Sequence, residues 1–177
     1  VMAPMFMGAE PPVATSGEYA GVEVLQTEQD KGLAMIQALT EEQQAVAIIA
    51  SSKTGIDMVA GAFEDNAVIA YQGIAASQFT AAQREQFLDL INEYVSNMKD
   101  GHAQVKMEEV EAHLDDTYFA WVGSTEDGAV FYYRIHSPVI LIEFDHQPPG
   151  PLGNYLGYAN VPSRDHIHCM VRTPNGN

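Results

Sequence analysis

Apolar residues recur at helical spacing in the first two thirds of this chain and at strand spacing in the last third. Leu33, Ile36 and Leu39, then Val46 and Ile49, mark two short helices. Phe87, Leu88, Ile91, Tyr94, Val95 and Met98 mark a third that runs to Gly101, and Val105, Val110 and Leu114 a fourth, with Glu108, Glu109 and Glu111 turned outward. Thr27 with Asp30, Thr40 with Gln43 and Thr80 with Gln83 place a side-chain oxygen and a partner three residues on at helix starts, where orphan amides need acceptors. After Asp116 the period falls to two. TYFAWVG, AVFYYRIHS, PVILIEFDH and DHIHCMVRT read as strands rich in β-branched and aromatic residues, the first two joined through Ser-Thr-Glu-Asp-Gly.

The expected fold class is α+β, with helices packed on one face of a four-stranded or larger antiparallel sheet. Residues 1–20 read as an extended arm or edge strand, 21–116 as a mainly helical part and 117–177 as the sheet. Residues 51–79 lack periodicity and read as loop with short helical turns. A long Pro/Gly loop spans 147–164, and Tyr155, Leu156 and Tyr158 give it an apolar tip; loops of this length are lids, contact arms or surface excursions. One domain is expected, as a piece of a longer protein, because the chain opens on Val1 in an apolar stretch and stops after Asn-Gly.

Charge narrows the function classes. Asp and Glu number 24 against 8 Lys and Arg, a formal charge of −16, and residues 1–130 carry 21 of the acids and 5 of the bases. Affinity for a phosphate backbone comes from clustered Lys and Arg, so nucleic acid is excluded as a partner. No apolar run approaches the roughly 20 residues of a membrane-spanning helix, so membrane insertion is not expected. The single Cys169 excludes an internal disulfide framework or a Cys-rich zinc module.

Four of the six histidines fall within residues 136–168. Alternation puts His166, His168, Met170 and Arg172 on one face of the last strand; Tyr132, Arg134 and His136 share a face of the second, and Glu143 and Asp145 a face of the third. If neighbouring strands align their apolar faces, their polar faces align too, and His136, Glu143, Asp145, His166 and His168 converge with Arg134 and Arg172 at the margin. Imidazole with carboxylate suits zinc, iron, manganese or copper, and an open coordination position polarises a carbonyl or generates hydroxide. The guanidinium forks of Arg134 and Arg172 suit an anionic substrate. The plainer alternative is that the histidines satisfy backbone groups and that Glu143 pairs with an arginine across strands. Arg172 stands where a cupin-type site would carry a carboxylate, so no cupin is assigned. Met2, Met5 and Met7 have copper(I) character but are better explained as edge-strand packing, and Cys169 faces away from both histidines of its strand.

The succession FAWVGS, FYYRIHSPVILIEFDHQ and HIHCMVRTPNGN, with helix starts of the form T-x-E-Q-Q and T-x-A-Q-R-E, resembles an uncharacterised family, domain of unknown function thirty-five hundred. The resemblance covers most of the chain and matches it to the second half of proteins roughly twice its size. It implies that Arg134, Glu143, Asp145, His166, His168 and Arg172 occupy family motif positions, without implying an activity. The family motif runs on from NGN into Asp-Tyr-Gly and a further helix, which this sequence lacks. Family members look exported, which implies a secreted or periplasmic setting. Two functions are therefore expected as alternatives. The first is a divalent-metal-dependent enzyme, a hydrolase, lyase or oxidoreductase, acting on a small anionic molecule. It would use His166, His168, His136 and Asp145 as candidate ligands and Arg134, Glu143 and Arg172 as candidate catalytic groups. The second is a non-catalytic extracellular assembly or binding protein. Its arm and sheet edge would contact the missing N-terminal half, a second chain or further copies in a homo-oligomer.

Overall fold

Thr40 and Thr80 open helices as their spacing predicts: each hydroxyl accepts the amide of the glutamine three residues on, and that glutamine's side chain accepts the threonine amide. The structure is a computed structural model that describes residues 2–61, 67–150, 153, 157 and 160–174. Its helices are α1 (Gln26–Gln37), α2 (Glu41–Ala47), α3 (Ala81–Val95) and α4 (Asp100–Ala112), and its strands β1 (Met5–Ala9), β2 (Ile48–Ala50), β3 (Ile74–Ala75), β4 (Tyr118–Gly123), β5 (Phe131–His136), β6 (Leu141–His146) and β7 (Ile167–Arg172). Thr27 does not cap α1. Leu25 precedes that helix in the left-handed region at φ 58°, with no side-chain cap, so Thr27 lies inside the first turn.

The seven strands form one sheet in the order β1-β7-β6-β5-β4-β2, with β3 also on β4. The protein is α+β, but the sheet is mixed. β2 runs parallel to β4, whereas the expectation was antiparallel throughout. The chain passes from α2 straight into β2, and Ile48 and Ala50 pair with Trp121 and Val122. A three-residue strand at a helix end leaves no alternation to read.

One apolar cluster joins Leu33, Ile36, Phe87, Ile91 and Tyr94 of the helices to Trp121, Tyr133, Phe144 and Cys169 of the sheet. Each large apolar side chain fully buried here contributes about 1.5–3 kcal/mol. Gly32 lets α1 approach closely, since a Cβ there would lie 2.2 Å from Cε1 of Tyr133. Tyr133 donates its hydroxyl to the Glu28 carbonyl at 2.8 Å and also meets the Tyr94 hydroxyl, which ties α1 and α3 to the sheet centre. On the opposite face a smaller cluster of Ala60, Leu141 and Met170, with Met58 and Ile69, shows what covers it: the irregular stretches on either side of residues 62–66. Among the described residues, no helix is long and apolar enough to cross a membrane.

Candidate functional site

Strand register arranges the covered, polar face of the sheet into rows. Gly8, His168, Asp145 and Tyr132 form one; Phe6, Met170, Glu143 and Arg134 the next; Arg172, Leu141, His136 and Tyr118 the third. The face alignment expected from alternation is therefore present. It brings the candidate residues onto one surface but not into one pocket, because rows are about 6–7 Å apart and strands about 4.8 Å apart.

The middle of that surface is filled by two buried carboxylates held from above. Glu143 accepts the Val59 and Ala60 amides at 2.8 Å each and the Tyr132 hydroxyl at 2.6 Å. Burial pushes its carboxyl above the ordinary range, against the lowering effect of those donors and of Arg134. Asp145 accepts the Asp57 amide at 3.2 Å and the Gln147 side chain at 3.0 Å, and pairs with the Lys53 ammonium at 3.0 Å. Burial raises it too, opposed chiefly by Lys53. The Lys53 side chain is 1% exposed and also pairs with Asp57 at 2.8 Å. An open cleft between residues 51–54 and 124–130 is lined by Lys53, but its ammonium is committed to those carboxylates.

His136 and Arg134 occupy one corner. Arg134 donates from Nη2 to Gln72 Oε1 at 2.6 Å, and the His136 ring lies under Tyr71, with centroids 4.4 Å apart. Burial and the Arg134 charge pull His136 down to about 4. Arg172, in the same row across Leu141, is buried and donates from Nε to the Thr173 carbonyl at 3.3 Å.

His166 and His168 occupy the opposite corner. Their rings stand edge to face with Nε2 atoms 3.0 Å apart, and Nδ1 of His166 lies 2.6 Å from the Pro148 carbonyl. A carbonyl only accepts, so Nδ1 of His166 carries the proton and its Nε2 lone pair faces His168. Burial, then His166, lowers His168, while Glu10 acts in the opposite sense. The Glu10 carboxylate accepts the Gly150 amide at 3.0 Å and 3.2 Å, and a Cβ on Gly150 would lie 2.6 Å from Glu10 Oε2 and 3.7 Å from His166 Cε1. A side chain there would push the end of Glu10 aside while remaining in ordinary contact with the imidazole. A cleft of about 780 Å³ opens beside them, lined by Glu10, Val13, Pro149, Arg164, Asp165 and His166 among others. Among the described residues, no three His, Cys, Asp or Glu side chains are grouped to hold a metal ion.

A family model described as a protein of unknown function, DUF3500, matches residues 1–177. The chain belongs to that family. No curated protein and no solved structure matches it. For this DUF3500 chain, then, geometry carries the functional argument.

Sequence reasoning missed Glu10, Lys53, Tyr71, Gln72 and Arg164. Each lies in an irregular segment, where no period assigns a side chain to a face. Tyr155, Leu156 and Tyr158, the apolar tip of the long loop, lie outside the described residues.

Proposed function

We propose that the chain is a divalent-metal-dependent enzyme acting on a small anionic molecule, with His166, which lines the 780 Å³ cleft, and its neighbour His168 as the protein ligands. One observation carries this reading: with its Nδ1 proton given to Pro148, His166 turns the lone pair of Nε2 toward Nε2 of His168, 3.0 Å away, where an ion would replace the proton the two rings share. A backbone carbonyl on the far nitrogen is the arrangement that orients metal-ligating imidazoles. Two nitrogens at that separation both reach one ion at the usual bond length of about 2.0–2.1 Å. A site with two protein nitrogens leaves several positions for water and substrate, and a metal so bound supplies Lewis acidity or an activated water. Arg164 on the cleft wall supplies a cation for the anionic group, and Glu10 lines the same cleft beside the histidines.

Elemental analysis of the purified protein and of the His166→Ala/His168→Ala variant tests the reading. One ion per chain, lost in the variant, supports it. A wild-type protein that takes up neither zinc, manganese, iron nor copper on titration rejects it.

A second reading, assembly with another chain, is favoured by β1. That strand is at the end of the sheet order and carries Phe6 54% exposed, so its outer edge offers unpaired backbone groups to a strand from a partner. Light scattering over a concentration series, with Met7→Pro as the blocked edge, distinguishes it: a dimer that dissociates in the variant supports assembly, and a monomer throughout rejects it.

A further inference from the structure

Two buried nitrogens at the Arg134 corner are left without partners. Arg134 is 3% exposed and His136 4%, yet Nε of the first and Nδ1 of the second make no hydrogen bond among the described residues. They sit side by side, as alternate residues on the same face of β5. Buried polar atoms without partners are uncommon and call for an explanation.

The groups around them do not supply one. Glu143 faces Arg134 across the strand pair and balances its charge, but its oxygens take Tyr132, Val59 and Ala60. Gln72 and Ala70 take Nη2 of Arg134, at 2.6 Å and 3.5 Å. Tyr71 and Tyr118 present aromatic rings, stacked 5.2 Å apart, and Arg172 lies across Leu141 in the His136 row. A guanidinium Nε can only donate, and an imidazole Nδ1 donates in one of its two neutral tautomers. Two neighbouring donors suit an acceptor that brings no hydrogen of its own.

We infer that Arg134 Nε and His136 Nδ1 form a buried binding site for a small carboxylate, reached by displacing the ring of Tyr71. Carboxylate oxygens accept from both nitrogens, and planar carboxylates match a guanidinium edge. Access fits the same geometry: Tyr71, which covers His136, is itself 48% exposed. The site does not depend on a metal at His166 and His168, which lie at the opposite corner of the face.

Acetate is the probe. In protein carrying ¹⁵N-labelled histidine, sodium acetate replaces sodium chloride at constant ionic strength near neutral pH, and the ring nitrogens of all six histidines are followed. The expected result is a saturable shift at His136 with the His146 ring unmoved. In Arg134→Lys, which keeps the charge but removes Nε, the affinity falls about tenfold or more, as for loss of a hydrogen bond to a charged group. Unchanged His146 resonances show that the variant is folded; if Arg134→Lys is unfolded, Arg134→Met, which also removes Nε and keeps the His136 reporter, takes its place. No saturable shift at His136, equal shifts at every histidine, or undiminished affinity in the folded variant each overturns the assignment.

Discussion

The imidazole of His146 links helix α1 to the sheet through Gln29: Nδ1 of His146 accepts the Phe131 amide at 3.0 Å, which leaves the proton on Nε2, 2.9 Å from Gln29 Oε1. The ring is fully buried among Phe131 and Phe144 and has no place for a second proton. Burial, aided by Arg164, pulls it down to about 3.

Acid should therefore weaken the fold through this residue. The unfolded histidine takes up a proton near the ordinary value of 6.5 and the folded one only near 3. Between those values the unfolded state binds more protons, and stability falls as pH falls, by up to about 1.4 kcal/mol per pH unit. His136, down to about 4, adds in the same direction over its own interval. Glu143 and Asp145 oppose it, because burial raises their folded values and protonation favours the folded state from their ordinary values upward. Urea midpoints measured from neutral pH downward check the sum. The His146→Phe variant isolates one member: it is less stable near neutrality by about 1–3 kcal/mol, having orphaned the Phe131 amide, and shows a shallower pH slope than wild type.

Gly32→Ala should destabilise the protein although alanine is the better helix former. Its Cβ would meet Tyr133, whose hydroxyl is fixed by Glu28 and Tyr94. The clash costs about 1–3 kcal/mol against roughly 1 kcal/mol of helix propensity. Gly101→Ala is the control: it lies in α4 with nothing within 4 Å of the added methyl, so its melting temperature stays level or rises.

Lys53 and Asp145 are both buried, and removing one leaves the other charged in a dry site. Lys53→Met is expected to cost about 3–5 kcal/mol, and adding Asp145→Asn should recover part of that loss. Chemical denaturation of the two single variants and the double variant checks the cycle. Additive losses would show that the pair does not couple.

Glu143→Gln replaces one acceptor oxygen with a donor amide facing backbone N–H groups. The Val59 and Ala60 amides, each 2.8 Å from that carboxylate, should then exchange with solvent markedly faster. A local loss of about 1–3 kcal/mol is expected. Amide exchange of β5 and β6 should change much less, since their ladder bonds are untouched. Equal acceleration across the sheet would mean that the carboxylate supports the whole fold and not one covering segment.

Period and local chemistry made a large part of this protein readable from the sequence. Thr40 with Gln43 and Thr80 with Gln83 mark two helix starts because a cap is a contact between near neighbours. Alternation in FYYRIH, LIEFDH and HIHCMVR assigned Arg134, His136, Glu143, Asp145 and His168 to one face, since successive strand side chains must point opposite ways. Tertiary structure decided the rest. Register separated His136 from His166 and His168 by placing them at different corners of that face, and register depends on turns and pairing partners that alternation does not encode. The segments around residues 53–60 and 69–72, which cover the carboxylates and hold Lys53, Tyr71 and Gln72, carry no period at all. Their positions follow from long-range contacts with buried charges on strands more than sixty residues away, a relationship that exists only once the chain has folded.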